Sequence, residues 1–185
     1  ALSDYDRLLT KNIAAMDRSV GVGVLSKEDA IAYGCSGPVL RASGVSYDVR
    51  KNDPYSIYSS LDFNVPVFYN GDCYDRYLIR FQEMYESIKI IKQCIDKIPN
   101  APYRSKEKPI FKLPNGSFYA ATETAKGLYG TYLVSTGGNS PYRIHTRSPS
   151  FGNLAALNTM AKGQRLSDLV TILATIDPVI PEIDR

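Results

Sequence analysis

Residues 72–98 read DCYDRYLIRFQEMYESIKIIKQCIDKI, and this stretch decides the fold. Tyr74, Phe81, Ile88 and Ile95 recur every seven residues, and Tyr77, Met84, Ile91 and Ile98 follow in the offset register. A heptad sustained over nearly four repeats predicts one continuous helix, roughly 40 Å long at 1.5 Å per residue. Leu78, Ile79, Tyr85 and Ile90 widen the apolar stripe beyond a two-stranded seam. The helix is therefore expected inside a helical bundle with its aromatics as core, capped near Asp72 and stopped by Pro99.

On the N-terminal side, residues 1–70 read as short helices and irregular loops. Turns are expected over Asp4–Lys11 and Ile13–Ser19, and a helix opened by Ser26 with Glu28 and Asp29 in its first turn ends at Gly34. From Cys35 to Pro66, Gly37, Pro38, Gly44, Pro54 and Pro66 break the chain too often for a long element. Its apolar content predicts that this stretch is pinned by something outside it. On the C-terminal side, alternation over Phe118–Glu123, Leu128–Val134 and Tyr142–Thr146 predicts three antiparallel strands within 110–147. Terminal helices and a tail follow over 151–185, with Leu166, Leu169, Val170, Leu173 and Ile176 at helical spacing before Pro178. The expected class is α+β: a long bundle helix and shorter helices with a small antiparallel sheet.

Composition narrows function mainly by exclusion. The 185 residues suffice for one domain, and 44% hydrophobic with 22% charged residues are globular values. The 22 Lys and Arg against 19 Asp and Glu are spread along the chain, which argues against nucleic acid as a partner. No apolar run is long enough to span a membrane, and the first residues lack the pattern of a signal peptide. Cys35, Cys73 and Cys94 have no metal-ligand spacing and read as buried thiols. Gly21-Val22-Gly23 follows no strand and is rejected as a nucleotide loop. The single histidine, His145, sits between Arg143 and Arg147, which disfavour its protonated form. A structural or surface role and a hydrolytic triad both remain open for it, although no nucleophile-elbow motif accompanies it.

Three segments are dense in charge and turn residues without packing logic: Gly37-Pro38-Val39-Leu40-Arg41-Ala42-Ser43-Gly44 with Asp48-Val49-Arg50-Lys51, then Glu123-Thr124-Ala125-Lys126-Gly127, and Asp177-Pro178-Val179-Ile180-Pro181-Glu182-Ile183-Asp184-Arg185. With Asp4–Asn12, Gly71–Tyr77 and Glu83–Ile91, they make the chain resemble, end to end, the C-terminal half of the 49-kDa-type or D subunit of proton-pumping NADH:quinone oxidoreductase, respiratory complex I. That family is in turn similar to the large subunit of nickel–iron hydrogenases. The resemblance implies a hydrogenase-large-subunit-like fold with no metal held here, because Val179 and Glu182 stand where the hydrogenases have cysteines and Arg185 where they have histidine.

The resemblance further implies that the vacated cavity serves quinone as substrate, beside a 4Fe–4S cluster carried by a neighbouring subunit, with no cofactor bound by this chain and no catalytic residue in the fragment alone. Arg185 is then a cation beside the cluster, Asp177 and Val179 line the chamber, Glu182 holds Arg185, and Lys126 overhangs the site as the hydrogenase arginine does. Arg41 and Arg50 are expected to anchor the irregular loop. Read from the residues alone, Arg185 is also explained by a salt bridge to Asp184 or Glu182, Val179 by packing and Lys126 by solvation. Three departures from the family pattern stand out: His145 where lysine is common, Thr124-Ala125 for Ala-Pro, and Leu128 for glutamate. The implied partners are the other complex I subunits, chiefly the cluster-bearing one, and an N-terminal half that doubles the family's chain. Membrane contact is expected only through the complex, on the cytoplasmic side of the bacterial inner membrane or the mitochondrial matrix side. A relative with a donor other than NADH and a purely structural scaffold stay open as alternatives.

Overall fold

The computed structural model describes residues 2–104 and 112–184. Its N-terminal part folds in short pieces because caps and glycines recur every few positions. Helix α1 (Leu2–Tyr5) runs into a π-type stretch, Asp6–Thr10, and α2 (Ile13–Asp17) starts where the Asn12 side chain accepts the Ala14 and Ala15 amides. Helix α3 (Lys27–Ala32) begins at Ser26, whose hydroxyl accepts the Asp29 N–H at 3.0 Å, and the chain leaves it through Gly34 at φ +64°. Next come α4 (Gly37–Ala42), buried along its whole length, α5 (Val49–Asn52), capped by Asp48, and a 3-10 turn at Tyr58–Ser60.

The heptad stretch forms α6 (Cys73–Lys97). Its cap, Asp72, accepts the Asp75 amide and, across the fold, the Gly21 amide, both at 2.8 Å. Only the first half of the stripe is core. Cys73, Ile79 and Phe81 are buried, whereas Met84, Tyr85, Ile88, Ile91, Ile95 and Ile98 are 41–72% exposed. Contacts there are polar and peripheral, as where Lys97 donates to the Ser60 carbonyl at 2.9 Å, and they leave these apolar side chains open. A heptad records that a face is apolar and does not record which chain covers it.

The stretch from Cys35 to Pro66 is pinned, and the pins lie in α6 and the sheet. Gln93 and Glu86 accept the Asp62 and Asn64 amides at 2.9 and 2.8 Å. Arg50 pairs with Asp48 at 2.6 Å and lies 5.0 Å from the Phe63 ring centroid.

Strands β1 (Gly116–Thr124), β2 (Gly127–Ser135) and β3 (Arg143–Arg147) form an antiparallel meander in the order β1-β2-β3. Register places Tyr119, Tyr132 and His145 side by side, with Phe118, Leu133 and Ile144 in the next row. Four helices close the chain: α7 (Pro149–Ala155), α8 (Leu157–Ala161), α9 (Leu166–Ile176) and α10 (Ile180–Ile183). The core gathers Leu25, Val39, Leu40, Cys73, Met160, Ile172 and Ile176, chiefly from α4, the start of α6, α8 and α9. Leu166 and Val170 of α9 point outward, so its buried face is narrower than its spacing predicts. Arg76 is fully buried beside this core, with its donors on the Gly71 and Gly23 carbonyls at 2.8 and 2.9 Å and on Thr175 Oγ1 at 3.2 Å. Among the described residues no helix is long and apolar enough to cross a membrane.

Candidate functional site

Lys126 sits at the tip of the β1–β2 hairpin, in a turn of two residues between the paired Thr124 and Gly127. The Thr124 hydroxyl donates to the Gly127 carbonyl at 2.8 Å and accepts the Lys126 N–H at 3.3 Å, closing the turn. Asn153 of α7 donates to the Lys126 carbonyl at 3.2 Å and accepts the Ser36 N–H at 3.0 Å, tying the hairpin tip to the start of α4. Facing the tip is Asp177, at the left-handed residue that ends α9 (φ 56°), a conformation aspartate tolerates better than most side chains. Its carboxylate pairs with the Lys126 ammonium. Burial, reinforced by the nearby Arg80 cation, lowers the Lys126 pKa, with Glu182 opposing.

The pair stands at the wall of a cleft of about 520 Å³. One wall is apolar and comes from α6, where Tyr77, Phe81 and Met84 line the space and Tyr77 stacks on Phe81 at 6.3 Å. The rest of the lining is charged: Lys126, Asp177, Glu123, Arg41 and Arg50, with Arg80 and Glu83 coming from α6 itself. Arg80 donates to the carbonyls of Arg76 and Ile176 at 2.9 and 3.2 Å, and its Nε lies 4.0 Å from Asp177 Oδ2. Burial pushes its pKa down to about 10, with Glu83 opposing, so it stays a cation at neutral pH.

Behind the charged wall is a buried network centred on Arg41, which is 1% exposed. Its guanidinium reaches Glu83 at 2.7 Å, Glu123 at 2.9 Å, the Tyr47 carbonyl at 2.9 Å and Asp48 at 3.9 Å. These carboxylates keep Arg41 protonated against the cost of its burial. Arg50 holds Asp48 and lowers its pKa in spite of burial.

A family model for the respiratory-chain NADH dehydrogenase 49 Kd subunit matches residues 1–185. The chain belongs to that family. The D subunit of NADH-quinone oxidoreductase from Rickettsia bellii is 44% identical over 209 aligned positions, covering 100% of this chain and 54% of the relative. The C/D subunit of NADH-quinone oxidoreductase from Bacteroides thetaiotaomicron is 48% identical over 184 residues, covering 100% of this chain and 35% of that protein. A chain in the solved structure of an archaeal respiratory membrane complex, the membrane-bound sulfane sulfur reductase, superposes with a TM-score of 0.93 at 42% identity, over 100% of this chain and 51% of that one. The chain thus spans about half or less of the length of these relatives.

Within this 49 Kd-family chain, the residues singled out from sequence divide between two clefts. Lys126, Asp177, Arg41 and Arg50 share the first. Glu182 lines a second, of about 370 Å³, with His145, Arg147, Tyr33 and Phe151. Its carboxylate accepts the Ser148 and Ser150 hydroxyls at 3.0 and 2.8 Å, and Ser150 Oγ also accepts the Val179 N–H at 3.2 Å. Val179 is half-buried at the start of α10 and lines neither cleft. Arg185 lies outside the described residues. His145 is exposed on β3, and Cys94, expected to be buried, is only half-buried on the open part of α6. Sequence reasoning overlooked Arg80 and Asn153. Arg80 follows Arg76 by one helical turn, a spacing that flags one charged face, but nothing in the sequence says that face is covered.

Proposed function

We propose that this chain is the C-terminal half of a 49-kDa-type subunit and forms one wall of the quinone chamber in the quinone-reduction module of a proton-pumping NADH:quinone oxidoreductase, docking the cluster-bearing subunit at its terminal segment. The observation that carries this reading is the first cleft. It brings the Tyr77 and Phe81 rings, suited to a quinone ring, into one space with an ammonium and guanidinium groups suited to the partial charge on its oxygens. Reduction of quinone to quinol takes two electrons and two protons. A 4Fe–4S cluster in a neighbouring subunit would supply the electrons, and the cations lining this cleft would stabilise the negative charge that develops on the ring oxygens. Asp177 holds the Lys126 ammonium at the cleft wall, and Asn153 fixes the backbone that carries it. In this reading Arg185 keeps the place the family resemblance implies, a cation beside the cluster. The chain reaches the membrane only through the complex.

Lys126→Met in the assembled complex is expected to lower quinone reduction by about tenfold or more. NADH oxidation with an artificial acceptor that bypasses the chamber stays at the wild-type rate. Equal quinone-reductase rates would instead favour a scaffold role.

A second reading draws on the 0.93 TM-score to a chain of a respiratory complex whose name, sulfane sulfur reductase, does not include NADH. In it the same module takes electrons from a donor other than NADH. The assembled complex assayed with NADH and with reduced ferredoxin separates the two readings.

A further inference from the structure

Among the described residues, two buried side-chain polar atoms have no hydrogen-bond partner, Arg80 Nε and Glu123 Oε2, and both residues line the first cleft. Glu123 is the more unusual of the two, because its side chain is 3% exposed and a carboxylate oxygen without a donor is costly there. Every element around it contributes a charged or titratable group. Arg41 comes from α4, Tyr47, Asp48 and Arg50 from the segment around the start of α5, Glu83 and Arg80 from α6, and Lys126 from its own hairpin. The Tyr55 hydroxyl accepts the Glu123 N–H at 3.2 Å.

Arg41 and Arg50 pair with Asp48, Glu83 and Glu123, and the Arg80 cation lies on the Glu83 side of the same cleft. Arg50 is committed to Asp48, at 2.6 Å. Of the three acids, Glu123 is the one with a buried oxygen left without a donor. A proton on Oε2 removes the cost of a buried, donorless anionic oxygen and leaves each hydrogen bond of the network in place, including that from Arg41 to Oε1 at 2.9 Å.

We propose that Glu123 is the proton-holding residue of this cleft, cycling between carboxylic acid and carboxylate and releasing its proton into the cleft when the substrate there is reduced. The proposal deepens the reading given under Proposed function and rests on it. The released proton neutralises an oxygen of the quinone once the ring has been reduced. The carboxylate left behind takes a replacement proton from water at the cleft mouth, so one turnover of Glu123 accounts for one of the two protons in quinol. Burial, with Asp48 behind it, raises the Glu123 pKa against Arg41 and Arg50, which keeps the acid form available.

The test compares the wild-type complex with Glu123→Gln, which keeps an oxygen for Arg41 and cannot release a proton. A raised pKa fills the acid form at low pH and empties it as pH rises through that value. The Glu123-dependent part of quinone reduction therefore falls on the alkaline side, and Glu123→Gln is expected to remove that limb together with about tenfold of the rate. An infrared difference spectrum of the wild-type complex between acidic and alkaline pH is expected to show a protonated-carboxyl band that is absent in Glu123→Gln. Should that variant fail to assemble, Glu123→Asp is expected to shift the band. An unchanged pH profile in Glu123→Gln, no such band in the wild type, or a band unmoved by both substitutions overturns the proposal while wild-type quinone activity stands. A band that behaves as expected in a complex that reduces no quinone supports proton holding at Glu123 and refutes the functional reading instead.

Discussion

Replacing Arg41 by methionine is expected to destabilise the folded protein by about 3–5 kcal/mol, the cost of leaving buried charges without their partner. Methionine preserves much of the side-chain volume, so the loss is electrostatic in origin. Asp48 and Glu123 are 1% and 3% exposed, and Glu83 is 19% exposed, so water cannot take over the solvation of the first two. The Tyr47 carbonyl loses its donor as well. Acid offers partial relief, because burial raises the Glu123 pKa and its protonation removes repulsion the guanidinium had cancelled; the deficit should shrink as pH falls through that raised value. Urea unfolding of the full-length protein, wild type against Arg41→Met at neutral and mildly acidic pH, measures this. A deficit under about 1 kcal/mol at neutral pH would show that the network is an ordinary surface cluster.

Gly37→Ala is the second large effect, expected to cost about 2–5 kcal/mol from a left-handed backbone and overpacking together. Gly37 has φ +65°, and an added Cβ would lie 2.5 Å from the Gly127 Cα and from the Lys126 carbonyl oxygen. Those atoms are backbone, so no side chain can swing aside. Gly127 presents the reciprocal contact, with Ser36 Oγ and Gly37 N at 2.5 and 2.7 Å from its own built Cβ. The start of α4 and the hairpin tip therefore touch through two glycines, and this contact sets how far the tip reaches toward Asp177. The substitution should pull Lys126 away from Asp177 and lower quinone reduction beyond what reduced protein abundance explains. Thermal unfolding and activity per assembled complex test it, and wild-type values in both would refute the close contact.

The sequence carried local structure well where one rule acted alone. Asp72 and Pro99 bounded the long helix to within two residues, and period-two alternation located all three strands because each pairs with its chain neighbour. What it could not carry was partnership at a distance. The stripe from Met84 to Ile98 is apolar, yet periodicity is silent on whether its cover belongs to this chain, and here that face is open. Lys126 and Asp177 were each singled out, but their ion pair spans 51 positions and depends on the α9 terminus turning left-handed. Glu182 was expected beside Arg185; two serine hydroxyls, from residues with no motif of their own, hold it in the fold. Buried arginines are the hardest case. Arg76 and Arg80 look like solvated charges in any window, and Arg41, expected to anchor the irregular loop, gave no sign of which carboxylates it would meet; only the folded network shows what each one binds.

The central claim is that quinone meets this chain at the cleft between α6 and the β1–β2 turn. Illuminating the assembled complex with a photoreactive quinone and mapping the labelled peptides by mass spectrometry tests it most directly. The account predicts label on peptides carrying Tyr77 to Met84, Thr124 to Lys126 or Asp177, suppressed by excess unmodified quinone. Suppressible label confined to other subunits, or to the exposed sheet residues Phe118, Tyr119 and Tyr132, would contradict it.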